Sequence, residues 1–132
     1  MKEALAVMAG GAVGSLARWL VSEWVATLAW AAYFPFGTLL VNVVGSFGIG
    51  VFSELLLEGG LWNPGTGIRA LIFAGIFGGF TTFSSFSLQT LALLRSGQIL
   101  LGGVNIVSSV ILCIVAVWLG AMAAHLVVGF AK

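Results

Sequence analysis

Four times along this 132-residue chain a long apolar run is closed off by a few polar or turn-forming residues. The runs lie at Ala4–Ala29, Phe36–Leu57, Ile68–Leu94 and Ile99–Val128, and each exceeds the roughly 18 to 20 residues a helix needs to cross a bilayer. Inside hydrocarbon an open segment satisfies its own backbone groups only as a helix. The runs therefore predict an all-α integral membrane protein, one domain of four transmembrane helices. Between the first two runs, Trp30-Ala31-Ala32-Tyr33-Phe34-Pro35 reads as an interfacial loop, with aromatic rings at headgroup level and a proline as breaker. Glu54, Glu58, Gly59, Gly60, Asn63, Pro64 and Gly65 mark a polar second loop, and Arg95-Ser96-Gly97-Gln98 a tight third connection of the kind that joins antiparallel neighbours.

The third run departs from a plain apolar helix. Residues 75–87 read Gly-Ile-Phe-Gly-Gly-Phe-Thr-Thr-Phe-Ser-Ser-Phe-Ser. Adjacent glycines followed by two β-branched threonines are poor helix formers, each costing up to roughly 1 kcal/mol relative to alanine. A break mid-membrane, between Gly78 and Thr82, is expected, and it would turn carbonyl oxygens inward. Freed backbone of that kind is tolerated only where protein or water covers it. Beyond the break, Phe83 and Phe86 fall on nearly the same helix face, while Thr82, Ser85 and Gln89 form a separate polar stripe. The alternative is that the rings pad an interface and the hydroxyls bond their own carbonyls.

Neutral polar groups also run down the other spans. Thr38, Asn42 and Ser46 stand at four-residue steps in the second, and Asn105, Ser109 and Cys113 do so in the fourth. The Asn42 amide can serve as interhelical glue or as a donor and acceptor facing an aqueous path. The first span carries Gly10-x-x-x-Gly14, a spacing that lets helices approach closely, followed by Arg18. A guanidinium at that depth costs at least roughly 2.5 to 3.5 kcal/mol unless it snorkels or finds a partner. Glu23 is one candidate partner, and Arg18 either anchors at the interface or attracts anions. His125, alone near the end of the fourth run, reads as structural or solvated.

Composition sharpens the membrane assignment. Hydrophobic residues make up 61% and charged residues 7%, with a mean hydropathy of +1.19, more apolar surface than a soluble domain of this size can bury. The first run is too long, and its Met1-Lys2-Glu3 start too weakly basic, for a cleaved signal. The single cysteine excludes an intrachain disulfide. Lys2, Arg69 and Lys132 fall on one side of four spans and Arg18 and Arg95 on the other. So even a balance gives no clear cytoplasmic excess, and insertion in both orientations, with an antiparallel dimer, is expected.

No catalytic arrangement emerges: there is no carboxylate pair within the membrane, no His/Cys cluster with metal-ligand spacing and no phosphate-binding loop. Hydroxyls and amides can donate to an anion, and the edge of a phenylalanine ring is the positive end of its quadrupole. Carbonyls at a helix break suit a cation. The inventory suits passage of ions. A small-molecule exporter would need a membrane carboxylate, for which Glu23 is the only candidate, and a non-conducting scaffold would need only the glycine faces.

Three stretches carry a family resemblance: Gly-Thr-Leu-Leu-Val-Asn-Val-Val-Gly-Ser-Phe at 37–47, Gly75-x-x-Gly-Gly-x-Thr-Thr-Phe-Ser-Ser-Phe-Ser, and Gly14-x-x-x-Arg18. Together they resemble the Fluc family of fluoride channels, also called CrcB proteins, over all four spans. The resemblance implies a dual-topology antiparallel homodimer in the cell inner membrane, with two fluoride pores and passive, electrodiffusive export of fluoride. It implies a structural sodium ion at the dimer interface, held by backbone carbonyls of Gly78 and Thr81. The implied fluoride pathway takes in Asn42, Phe83 and Phe86, with Thr82, Ser84, Ser85, Asn105 and Ser109 along a polar track, and Arg18 at the aqueous vestibule. The chain departs from the family at Gln89, where many relatives have glutamate, and at Cys113 and Val117, where some have hydroxyls.

Overall fold

A computed structural model describes residues 1–56 and 61–130. Leu57, Glu58, Gly59 and Gly60, expected at the end of the second span and in its loop, and Lys132, one of the balancing charges, lie outside the described residues. Helix α1 is Lys2–Ala26, followed by a short 3-10 turn at Ala29–Tyr33, and α2 is Phe36–Leu56. The third span, Thr66–Arg95, consists of α3 over residues 66–80 and α4 at Phe83–Arg95. Helix α5, Ile99–Phe130, closes the chain. All four spans are long and apolar enough to cross a membrane, and no strand occurs among the described residues.

The chain is turned inside out relative to a soluble domain. Leu5, Val13, Leu16, Trp19 and Leu20 stand exposed on α1, and Ile106, Ile111, Ile114 and Trp118 on α5, as lipid-facing side chains should. Much of what the helices bury against one another is small, Gly10 and Gly14 on α1, Gly45 and Gly50 on α2, and Gly102, Ala116, Gly120 and Ala124 on α5, with a few larger side chains such as Val25, Val41 and Leu56 among them. Without a hydrophobic drive between helices in lipid, close backbone approach supplies the packing energy.

Two crossings use this device. Helix α1 runs alongside α3, and at Gly14 a Cβ would collide with the Ile76 carbonyl and lie 2.9 Å from the Phe80 nitrogen. Helix α2 crosses α5 where a Cβ on Gly50 would strike the Val117 carbonyl and one on Gly120 the Phe47 carbonyl. Both are backbone atoms that cannot swing aside.

At its start, α3 is tied to the loop by the Arg69 Nη2 group, which donates to Asn63 Oδ1 at 2.7 Å. From Ala70 to Phe77 it widens into a π-helix, a rare geometry that tends to occur at functional sites. Helix α4 ends in the expected tight connection: Gly97, at φ 79°, takes the left-handed position, and the Gln98 N–H returns to the Leu93 carbonyl at 2.9 Å.

Arg18 and Glu23 form no ion pair; the one contact between a basic and an acidic side chain among the described residues is His125 Nδ1 with Glu54 Oε2 at 3.3 Å. His125 is 75% exposed, which agrees with a solvated side chain.

Candidate functional site

The helix break sits at the threonines, just past the glycine pair. Gly78, Gly79 and Phe80 remain helical, whereas Thr81 (φ −85°, ψ 157°) and Thr82 (φ −151°, ψ 114°) are extended. The reason lies on another helix. Asn42 of α2 accepts the Thr82 N–H on Oδ1 at 2.7 Å and donates from Nδ2 to the Thr82 carbonyl at 3.1 Å. One amide side chain thus takes both backbone groups of a single residue, as a paired strand would. The Thr82 N–H that would have continued the helix onto the Gly78 carbonyl is spent on Asn42, and that carbonyl is released.

Thr82 then starts the next helix. Its Oγ1 accepts the Ser85 N–H at 3.1 Å, an N-cap, donates to Ser85 Oγ at 3.1 Å and lies 3.2 Å from Ser84 Oγ. Thr81 closes the preceding helix: its N–H and its hydroxyl both donate to the Phe77 carbonyl, at 3.0 and 2.9 Å. Replacing Thr82 by alanine removes the cap and should cost about 1 kcal/mol. A lowered thermal midpoint of the detergent-solubilised protein, restored by Thr82→Ser, is the expected result.

Beside the break lies a cavity of about 440 Å³. Asn42 and Ser46 of α2, Gly78, Thr81, Thr82, Phe83 and Phe86 of the third span, and Ser109 and Cys113 of α5 line it. The Phe83 and Phe86 rings are 5.2 Å apart at 47°, an arrangement that presents ring edges. Phe86 is buried, whereas Phe83 is 77% exposed on the open flank. The structure brings Asn42, Thr82, Phe83, Phe86 and Ser109 together at this one cavity and leaves four other expected residues off its wall. Ser84 and Ser85 attach to it only through Thr82. Arg18 lines neither this cavity nor the second. Asn105 is 2% exposed and donates from Nδ2 to Thr90 Oγ1 at 2.8 Å. Phe73, Phe77 and Ile114 also line the cavity; inside apolar runs, nothing in the sequence marks them.

A second cavity, of about 580 Å³, lies between the loop after α1 and the end of α4, lined by Ser22, Thr38, Gln89, Ser96 and Gln98 among others. The Gln89 Oε1 atom is buried without a hydrogen-bond partner. The polar row of α2 serves both spaces: Thr38 lines the second, and Asn42 and Ser46 the first. Glu3, Glu23 and Glu54 line neither.

Residues 5–121 match the family described as CrcB-like protein, Camphor Resistance (CrcB). Among curated proteins, the chain is 52% identical over 120 residues to a protein of Opitutus terrae named fluoride-specific ion channel FluC, covering 91% of this chain and 90% of that one. Proteins with the same name are 49% identical in Methylobacterium radiotolerans, over 90% of this chain and 82% of that one, and 48% identical in Paramagnetospirillum magneticum, over 92% and 94%.

Proposed function

This chain belongs to the CrcB family, and we propose that it is a fluoride-selective channel that lets cytoplasmic fluoride leave the cell by passive electrodiffusion. The observation that carries the reading is the cavity at the helix break, where the Asn42 amide stands beside the tilted Phe83–Phe86 pair. Asn42 Nδ2 has two hydrogens and gives one to the Thr82 carbonyl. The other, with the Ser109 hydroxyl and the ring edges, supplies donors and positive edges to an anion that sheds water. No carboxylate among Glu3, Glu23 and Glu54 lines the cavity to repel it. This also speaks against a proton-coupled exporter, which generally needs a titratable group in its path.

The working unit in this reading is an antiparallel homodimer in the cell inner membrane, with one fluoride path along each chain and a sodium ion between them. The near-even division of Lys and Arg supports the two orientations. Gly78 and Thr81 would hold the sodium through their carbonyl oxygens. They fit a hard cation, because the Asn42 bond frees the Gly78 carbonyl from helical pairing and Thr81 is extended. Sodium would supply a fixed positive charge at the crossing of the two breaks. In the same reading Ser84 and Ser85 support the track through Thr82, and Arg18 serves the vestibule.

The test is ion efflux from liposomes holding purified protein, with potassium and an ionophore fixing the voltage and electrodes reading fluoride and chloride. Fast fluoride release with negligible chloride release is expected. Well-folded protein that releases neither ion would leave the scaffold reading standing, and release coupled to protons would favour an exporter.

A further inference from the structure

The family resemblance puts Asn105 along the anion path, yet the residue is 2% exposed and faces α4. Its Nδ2 donates to Thr90 Oγ1 at 2.8 Å, and the Thr90 hydroxyl donates onward to the Phe86 carbonyl at 2.8 Å. The direction of the chain is fixed by chemistry. A hydroxyl has one hydrogen, and Thr90 spends it on Phe86, so toward Asn105 it can only accept. Thr90 is itself 7% exposed, and linked bonds of this kind polarise and strengthen one another in a dry interior.

We propose that Asn105 and Thr90 are positioning residues for the Phe86 ring, and that they set the selectivity of the path without touching the ion; this rests on the fluoride-channel reading. Helix α4 is held at two levels. Asn42 of α2 grips Thr82 just before the helix starts, and Asn105 of α5 grips Thr90. The eight residue steps from Thr82 to Thr90 rise about 12 Å, and Phe83 and Phe86 lie between the grips. The upper grip fixes where α4 begins and the lower one fixes its rotation about its own axis. That rotation determines which part of the Phe86 ring the cavity meets, opposite Ser109 and Cys113 of α5. Further along α4, apolar packing such as Leu94 against Gly102 adds to the hold.

The experiment compares wild type with T90V, T90S and N105L in the liposome assay, and places 4-fluorophenylalanine at position 86 for ¹⁹F NMR in detergent. T90V keeps the shape, removes the hydroxyl and strands the Asn105 donor; fluoride flux should fall about tenfold, chloride release should rise, and the ¹⁹F resonance should shift and broaden. N105L should act in the same sense, whereas T90S, which keeps the hydroxyl, should match wild type in flux, selectivity and line shape. A ¹⁹F resonance unchanged in T90V and N105L would overturn the positioning role whether or not the protein conducts, and so would a T90S variant as impaired as T90V. Absence of fluoride flux from wild type would instead strike the channel reading. If T90V does not fold, N105L, which leaves the Thr90–Phe86 bond in place, decides the matter.

Discussion

Asn42→Asp is expected to abolish measurable fluoride passage, with flux from reconstituted vesicles falling at least about a hundredfold. The substitution keeps the size of the side chain and keeps Oδ1, which can still accept the Thr82 N–H now held at 2.7 Å. The second oxygen replaces Nδ2, which lies 3.1 Å from the Thr82 carbonyl, so a donor–acceptor pair becomes two opposed acceptors. A negative charge also enters the cavity wall where the anion has to pass. A partly buried charge facing an unpaired carbonyl costs about 3 kcal/mol, which is about a hundredfold in any equilibrium it governs. Asn42→Ala separates the two effects, because it removes both bonds without adding charge and should lower flux less. Fluoride electrodes, with gel filtration to confirm folded protein, make the measurement. If the aspartate variant conducts like wild type, Asn42 is not on the path.

Gly14→Leu and Gly120→Leu should each prevent recovery of folded protein. In both, the added Cβ would meet backbone: the Ile76 carbonyl in the first and the Phe47 carbonyl in the second. Side chains that collide in a core typically cost about 1 to 3 kcal/mol and more when nothing can yield. A carbonyl inside a helix cannot yield without moving the helix. At Gly14 the displaced partner is α3, which leads directly into the break, so even residual folded protein would misplace Thr81 and Thr82. Gly129→Leu is the control, because a Cβ at that position would have open space for 4 Å around it. Yield of monodisperse protein in detergent and thermal midpoint are the measurements. Normal yield of the Gly14 variant would mean that α1 and α3 do not cross as closely as described.

Much of the architecture is legible in the sequence because it follows from run lengths. A bilayer needs about twenty apolar residues per helix, and the turn residues divide the chain accordingly. The break is legible as well, since Gly-Gly-x-Thr-Thr is locally hostile to a helix. Its location is less so. Propensity marks the whole stretch from Gly78 to Thr82 without choosing among its residues; the extended ones are Thr81 and Thr82, because the group that captures Thr82 comes from 40 residues earlier in the chain. The π-helical stretch at Ala70–Phe77 leaves no mark, since an unbroken apolar run has no periodicity to distort.

Asn105 shows a different limit. Four-residue steps give Asn105, Ser109 and Cys113 a common face, yet a helix advances about 100° per residue, so each such step turns the row by about 40°. Over two steps the row winds from the α4 contact at Asn105 to the cavity wall at Cys113. Only the position of α4 shows where the wall begins.

The bond between Asn42 and Thr82 also bears on how the protein is made. A span whose backbone is open in mid-membrane leaves a polar N–H and C=O facing hydrocarbon, at several kcal/mol each. Asn42 precedes Thr82 in the chain, so during synthesis the second span enters the bilayer before the third. The amide that will close the gap is waiting when the gap arrives. A circular permutation that delivered the third span first would hold that gap open to lipid until its partner followed, and insertion would stall there.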